Sequence, residues 1–495
     1  MWPQLGLDNL TMLVHARPMS ELAPPLDIPP ADWEATPPSV RALVLALLDQ
    51  VQTLQARVTD LETRLTLYSG NSSRPPSSDP PSAPPPPNRT PTGRKRGAQP
   101  GHPGHQRELL PPGEVTDFVI HRPSACPHCQ TALPHDLPAS EVLRQQVWDV
   151  PPQQPHITEH QFPTLTCPHC QTAVRAERPP EVPPGSFGPQ LVALVALLHG
   201  RYRVSTREVA LLLNDLWHIP ISLGSIPALY QTASSALVPV YAEVQTVVQA
   251  QAVANIDETG WKERHQQRYL WVAVTLLGTL FMIGRRSRPA LESLVGAAFG
   301  GIVGSDRYKA YAHLPPTRRQ LCWAHLKRDW QFFCERDGPV GVWGEAAMAQ
   351  IEALFAAWHR FRAGEIDRVQ LQDEMVPIAA ELRRLVETGR DELPWEKARG
   401  FCRDLLWVWP ALWTFVTEEG VEPTNNAAER ALRPAVLWRK GCYGTDSEEG
   451  SRFVERILTV TTTCRHQQRP VLPFLTDAVR VHWSGHPAPI LMPTP

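Results

Sequence analysis

The 495 residues carry a formal net charge of −2 and 42% hydrophobic residues, too long a chain for one compact core and too evenly charged to bind polyanions over its whole surface. No apolar run reaches the length of a membrane span, and the N-terminus lacks the basic-then-apolar pattern of a secretory signal. A multidomain cytoplasmic protein is therefore expected, and its nine cysteines are not read as a disulfide framework.

The first predicted element is a helix over 36–70. Its apolar residues fall at Val40, Val44, Leu47, Val51, Leu54, Val58, Leu61 and Leu65, in alternating steps of four and three. Val44, Val51 and Val58 take one core position of the heptad and Leu47, Leu54 and Leu61 the other, a pattern that favours a parallel two-stranded coiled coil and hence a homodimer or higher homo-oligomer. The rival is an amphipathic helix packed on its own chain. Residues 71–115 read as a Pro-rich linker, with Pro84-Pro85-Pro86-Pro87, that cannot bury a core. Within it, 89–107 hold five Arg/Lys and no acid, including Arg94-Lys95-Arg96. Such an arm can lie along phosphates or enter a minor groove, or be a solvated charge run.

Over 116–178, Cys126-Pro127-His128-Cys129 and Cys167-Pro168-His169-Cys170 form two C-x-x-C knuckles. Two such turns can complete a tetrahedral shell for one structural Zn²⁺, and their matching sequences argue against a redox pair. A strand is expected in the intervening 142–150. Residues 186–250 read as helices, with Ser205-Thr206-Arg207-Glu208 as a capping box, in an order that suits either a helix-turn-helix or a brace for the catalytic core.

Residues 251–325 change character. A short apolar run ends on Asp257, a hairpin turns at Gly278, a helix covers 289–299, and a strand ends on Asp306. Three antiparallel strands, a helix and a further strand, with acids on the first and fourth, is the order of a ribonuclease-H-like core. Residues 326–420 read as a helical insertion punctuated by Trp343, Trp358, Trp395, Trp407, Trp409 and Trp413, mostly core, though one or two can stack on splayed bases. Residues 421–468 return to the core with Glu429, on a helix that Asn425 or Asn426 can cap, and 469–495 read as a tail. Carboxylates are hard oxygen ligands, so Asp257, Asp306 and Glu429 are candidate holders of Mg²⁺. Glu258 is expected on the opposite strand face with a structural part, and Glu422 at a turn.

The segments Asp257-Glu258-Thr259-Gly260-Trp261, Asp306-Arg307-Tyr308-Lys309-Ala310-Tyr311 and Asn425-Asn426-Ala427-Ala428-Glu429-Arg430 resemble the DDE motifs of the IS66 family of bacterial transposases. Cys322-Trp323-Ala324-His325-Leu326-Lys327-Arg328 resembles a further block of that family, and the zipper, linker and knuckles occur in the same order. The resemblance implies a multidomain α/β protein with a ribonuclease-H-like catalytic core interrupted by an all-α insertion. It implies cleavage and strand transfer of insertion-sequence ends, with Asp257, Asp306 and Glu429 coordinating two Mg²⁺, for which Mn²⁺ can substitute. The implied partners are terminal inverted repeats, target DNA and small accessory transposition proteins, at the bacterial nucleoid. Arg433, Arg430 and His325 are expected to support Glu429 or touch DNA, as are Arg94, Lys95 and Arg96. Some transposase families carry a basic residue seven positions after the glutamate; here that is Val436, and Arg433, Arg439 or Lys440 can take its part. The rival readings are a ribonuclease-H-like nuclease that cuts without strand transfer and an inactive transposase-derived DNA-binding protein.

Overall fold

The computed structural model describes residues 29–66, 108–150 and 154–492. The basic arm at Arg94, Lys95 and Arg96, most of the Pro-rich linker and the last residues of the expected zipper lie outside the described residues. The chain divides into two units, 1–88 and 89–495.

The first unit contains α1 (Pro30–Ala35) and α2 (Pro38–Thr66), so the heptad segment is helical. Along α2, Val40, Leu47, Val51, Leu54 and Val58 are exposed.

The second unit begins with the knuckles. Its first strands are short, β1 (Thr164–Thr166) and β2 (Ala173–Arg175), paired antiparallel around the second knuckle. The strand expected at 142–150 does not form. That stretch has no neighbouring strand, and β propensity without a ladder partner fixes no strand. None of the described residues from 108 to 182 is buried.

From α3 (Pro189–Ala196) onward the chain is densely packed. Pro189 sits at the first helical position, where its missing N–H costs nothing. A single π-helical turn, Leu197–Arg201, comes next. In α4 (Thr206–Trp217) the capping box forms as expected, with Ser205 Oγ accepting from the Glu208 N–H and the Glu208 carboxylate accepting from the Ser205 N–H, each at 3.3 Å. α5 (Ser225–Ala236) and α6 (Val238–Gln249) complete the helical segment, and Val195, Val209, Leu213 and Ile226 form a small core between α3, α4 and α5.

A five-stranded sheet is built next: β3 (Val253–Glu263), β4 (Gln266–Val274), β5 (Thr279–Gly284), then α7 (Arg288–Val295), β6 (Ile302–Ser305) and β7 (Arg319–Leu321). The strand order is β5-β4-β3-β6-β7, with β3, β4 and β5 antiparallel and β6 and β7 parallel to β3. β3 does not end on Asp257 as expected. It continues to Glu263 because β4 pairs with it along its whole second half, from Asp257↔Val272 to Glu263↔Gln266. The Gly260 that looks like a breaker is accommodated in that ladder. β7 was not expected from the sequence, being only three residues long.

The insertion consists of α8 (Trp323–Cys334), α9 (Pro339–Arg362), α10 (Arg368–Glu392), α11 (Glu396–Trp407) and the short α12 (Thr414–Thr417). It has its own core, including Leu326, Trp330, Phe333, Trp343, Leu354, Leu371 and Phe401. Trp343 and Trp358 are buried there, whereas Trp407 is 80% exposed. The insertion leaves and returns at one place: the Trp323 N–H donates to Pro423 O at 2.8 Å.

The chain then forms α13 (Asn426–Cys442), α14 (Glu448–His466) and α15 (Val471–Ser484). The expected tail from 469 is instead mostly α15, which buries Phe474, Leu475, Ala478 and Val479. Beyond it, the Leu491 and Met492 N–H groups donate to the Glu243 carboxylate at 3.0 Å each. The buried residues Phe474, Leu475, Ala478 and Val479 of α15 are spaced for one helix face.

α14 covers the free edge of β5. The outward N–H groups of Thr279, Phe281 and Ile283 donate to Thr463 Oγ1, Thr459 Oγ1 and Glu455 Oε1 at 3.1, 2.9 and 2.6 Å. Four helical residues rise about 6 Å and two strand residues about 6.6 Å, so a polar side chain on each turn meets every second residue of the strand. An edge that would otherwise invite another strand is thereby satisfied. Among the described residues no helix is long and apolar enough to cross a membrane.

Candidate active site

Parallel pairing of β3 with β6 puts Asn255 opposite Gly304. Two residues further along stand Asp257, still within β3, and Asp306, the first residue past the end of β6. Gly304 lets the Asn255 side chain lie close: a Cβ on it would be 2.5 Å from Asn255 Oδ1.

Glu429 comes from the first turn of α13. Asn425 precedes this helix but its side chain does not cap it, contrary to expectation. Instead Asn425 Nδ2 donates to Ile256 O at 2.7 Å, and the Asn425 N–H donates to Cys322 Sγ at 3.2 Å. One buried residue thus ties the start of α13 to the residue before Asp257 and to the entry of α8.

The three acids interact electrostatically. Burial pushes the Asp257 carboxyl up to about 8, and Glu258, Asp306 and Glu429 add to the rise while the Glu258 N–H opposes it. Asp257 Oδ1 accepts from that N–H at 2.9 Å, and Asp306 Oδ1 accepts from the Tyr308 N–H at 2.8 Å. His325, on α8, places Nδ1 3.6 Å from Glu429 Oε1 and makes no hydrogen bond through that buried atom. Burial lowers the pKa of its imidazole, as does Arg328, against the opposing pull of Glu429 and Asp306. Cys322, His325 and Glu429 have their ligand atoms within 4.8 Å of one another.

Glu258 occupies the other face of β3, as expected. It accepts from Tyr311 Oη and from Arg286 Nε, each at 2.7 Å, and its side chain is 1% exposed. Burial raises its pKa, against those two hydrogen bonds. The Arg286 guanidinium lies 3.5 Å from the centroid of the Tyr308 ring. Glu258 is therefore connected through Arg286 to the residue whose N–H holds Asp306. Tyr308 and Tyr311 stand inside the quoted Asp306 motif, but no spacing rule pointed to Arg286.

Glu429, Arg430 and Arg433 line one open cleft of about 390 Å³ with Asn426 and Val436. Arg439 is engaged elsewhere: its Nη1 donates to Thr259 Oγ1 at 3.0 Å and to Gly260 O, fastening α13 to β3.

The two cysteine knuckles share one geometry. In the first, the Cys126 N–H donates to Thr131 O at 2.9 Å and the Gln130 N–H to Cys126 O at 2.8 Å; the second repeats this with Cys167, Thr172 and Gln171. Gln130 and Gln171 adopt left-handed φ values of 60° and 59°. Cys129 and Cys170 place Sγ 3.2 and 3.3 Å from the Thr131 and Thr172 hydroxyls; hydrogen bonds from those hydroxyls and from the threonine N–H groups to the thiolates lower both pKa values, that of Cys170 to about 7. No three of the four thiols lie within 4.8 Å of one another.

Residues 184–452, more than half of the chain, match the transposase IS66 family. The chain belongs to the IS66 transposase family. Residues 123–171 match the zinc-finger binding domain of transposase IS66, and 27–108 match a family of unknown function, DUF6444. This IS66 family member is 29% identical over 208 residues to the uncharacterized protein y4qI of Sinorhizobium fredii, covering 39% of this chain and 38% of that protein. It is 26% identical over 228 residues to y4hP of the same species, with 39% and 38% covered. The chain therefore spans well under half the length of both curated relatives.

Proposed function

We propose that this IS66 family member is a DNA transposase in which Asp257, Asp306 and Glu429 form a DDE site for cleavage and strand transfer of insertion-sequence ends. One observation carries the reading: the β3–β6 pairing brings the segments of Asp257 and Asp306 side by side, and Asn425, at the start of the helix that bears Glu429, is hydrogen bonded to the residue before Asp257. The strand order β5-β4-β3-β6-β7, with its antiparallel and parallel halves, supports a ribonuclease-H-like core.

The donor set fits a divalent cation. Three carboxylates are hard oxygen ligands, and Asp257 is pushed toward its neutral form by burial and its acidic neighbours, a repulsion that positive charge would relieve. Mg²⁺, or Mn²⁺ in its place, would supply Lewis-acid activation of the attacking oxygen and charge neutralisation at phosphorus. The residues themselves bind and orient. Asp306 is held by the Tyr308 N–H, Glu429 by a helix fastened to β3, and His325 stands beside Glu429 with its Nδ1 buried. Arg430 and Arg433 offer guanidinium groups to backbone phosphates in the cleft beside Glu429.

Cys126, Cys129, Cys167 and Cys170 hold one structural Zn²⁺ in this reading, supported by two turns already shaped alike. Binding would draw the knuckles together and couple the folding of the module to the ion. α2 pairs with a second copy through its exposed apolar seam, and the basic arm contacts DNA in the cytoplasm.

The test is cleavage and joining of a terminal-repeat duplex in Mg²⁺ by the full chain. Wild type should cut and join, and Asp306→Ala should do neither. Equal activity in the two proteins would overturn the site, and cutting without joining would favour the nuclease reading.

A further inference from the structure

Arg201, Arg203 and Arg465 lie together at the junction of the π-helical turn with the end of α14. Gly200 makes the junction close: a Cβ there would lie 2.7 Å from Ile457 of α14. Arg201 is the next residue, and Arg465 comes from the last turn of the same helix. Arg465 Nη2 donates to Tyr202 Oη at 3.3 Å, with its guanidinium 5.7 Å from the centre of that ring.

The helix C-terminus accounts for Arg465, since a cation there opposes the negative end of the helix dipole. It does not account for Arg201. Arg201 Nη1 is buried and has no hydrogen-bond partner. Among the described residues, no carboxylate pairs with Arg201, Arg203 or Arg465. Burial is the main reason the Arg201 pKa falls to about 10, and the charges of Arg465 and Arg203 lower it further. Leaving a buried donor unpaired beside like charges is costly unless something brings in negative charge. Guanidinium groups match the oxygens of a phosphate.

We propose that Arg201, Arg203 and Arg465 form a phosphodiester-binding site that grips the backbone of duplex DNA from the turn before α4 and the end of α14, elements that carry none of the three acids. The proposal rests on the DNA-handling reading above. The arginines touch phosphate, so they add affinity without sequence preference.

The experiment measures binding of the full chain to a fluorescein-labelled duplex of unrelated sequence across a salt series. Wild type is compared with Arg201→Met, Arg465→Gln and the control Arg384→Gln, whose guanidinium is paired with Glu381. Each of the first two substitutions should weaken binding several-fold and reduce the slope of log affinity against log salt by about 0.9 for each phosphate no longer neutralised. The control should change neither. Arg465 is exposed, so Arg465→Gln reports even if Arg201→Met fails to fold. Unchanged slopes in folded Arg201→Met and Arg465→Gln, with wild type still binding, would overturn this site and leave the transposase reading standing. Absence of salt-dependent binding by wild type would overturn both. A third arm uses inorganic phosphate: thermal stabilisation of wild type but not of Arg201→Met, with identical duplex binding, would assign the cluster to free phosphate and overturn the DNA site.

Discussion

The knuckle region and the sheet with its helices solve the problem of order in opposite ways. From 108 to 182 none of the described residues is buried, and Phe118, Val119, Ile120, Leu143 and Val147 face outward. From α3 onward the chain packs around three cores, the largest of which draws on residues from Val192 to Met492 in strands and helices alike. A segment that buries nothing gains no hydrophobic stabilisation, so its conformation has to come from ligation or from partners. The sheet region requires no such help, and it can hold three mutually repelling acids because so much else is packed around them.

The contrast can be broken most forcefully at the metal. Chelation, or Cys126→Ser, should release the knuckle region to protease while α3 to α15 keep their melting transition. Structural Zn²⁺ is worth about 10–16 kcal/mol in comparable small modules. Limited proteolysis followed by calorimetry would check this; joint loss of both regions would show that the knuckles also brace the sheet.

A smaller effect is expected where the sheet meets α14. Thr459→Val keeps the shape of the side chain but leaves the Phe281 N–H buried without an acceptor. The loss should be about 1–3 kcal/mol in urea unfolding. No change would mean that the edge hydrogen bonds contribute little beyond packing.

The smallest effect belongs to a cap. Ser205→Ala removes the acceptor for the Glu208 N–H at the start of α4. A destabilisation of about 1 kcal/mol is expected, confined to the α3–α5 segment in hydrogen exchange. A global loss would make α4 part of the main cooperative unit.

The legibility of the sequence divides along the same line. Asp257, Asp306 and Glu429 stand out because each sits in a distinctive local motif, and the hairpin at Gly278 and the capping box at Ser205 are written in local residues. The edge cover was not legible. Glu455, Thr459 and Thr463 are polar residues at helical spacing, and all three are buried against β5, where each meets a strand N–H that no local pattern identifies. Asn425 misled for a related reason: an asparagine before a helix looks like a cap, but the Ile256 carbonyl is the acceptor of its amide. The end of β3 was misplaced because the partner that prolongs it, β4, is chosen by tertiary pairing. Local residues thus disclose chemistry and turns, while the acceptors of buried polar groups emerge only when distant segments meet.

The hydrogen bond from Trp323 to Pro423 closes the neck of a helical excursion about a hundred residues long. Departure and return touch, and the excursion's apolar cluster reaches back to Leu321, Val253 and Ile302 of the sheet, so the helices are anchored to the strands at their base.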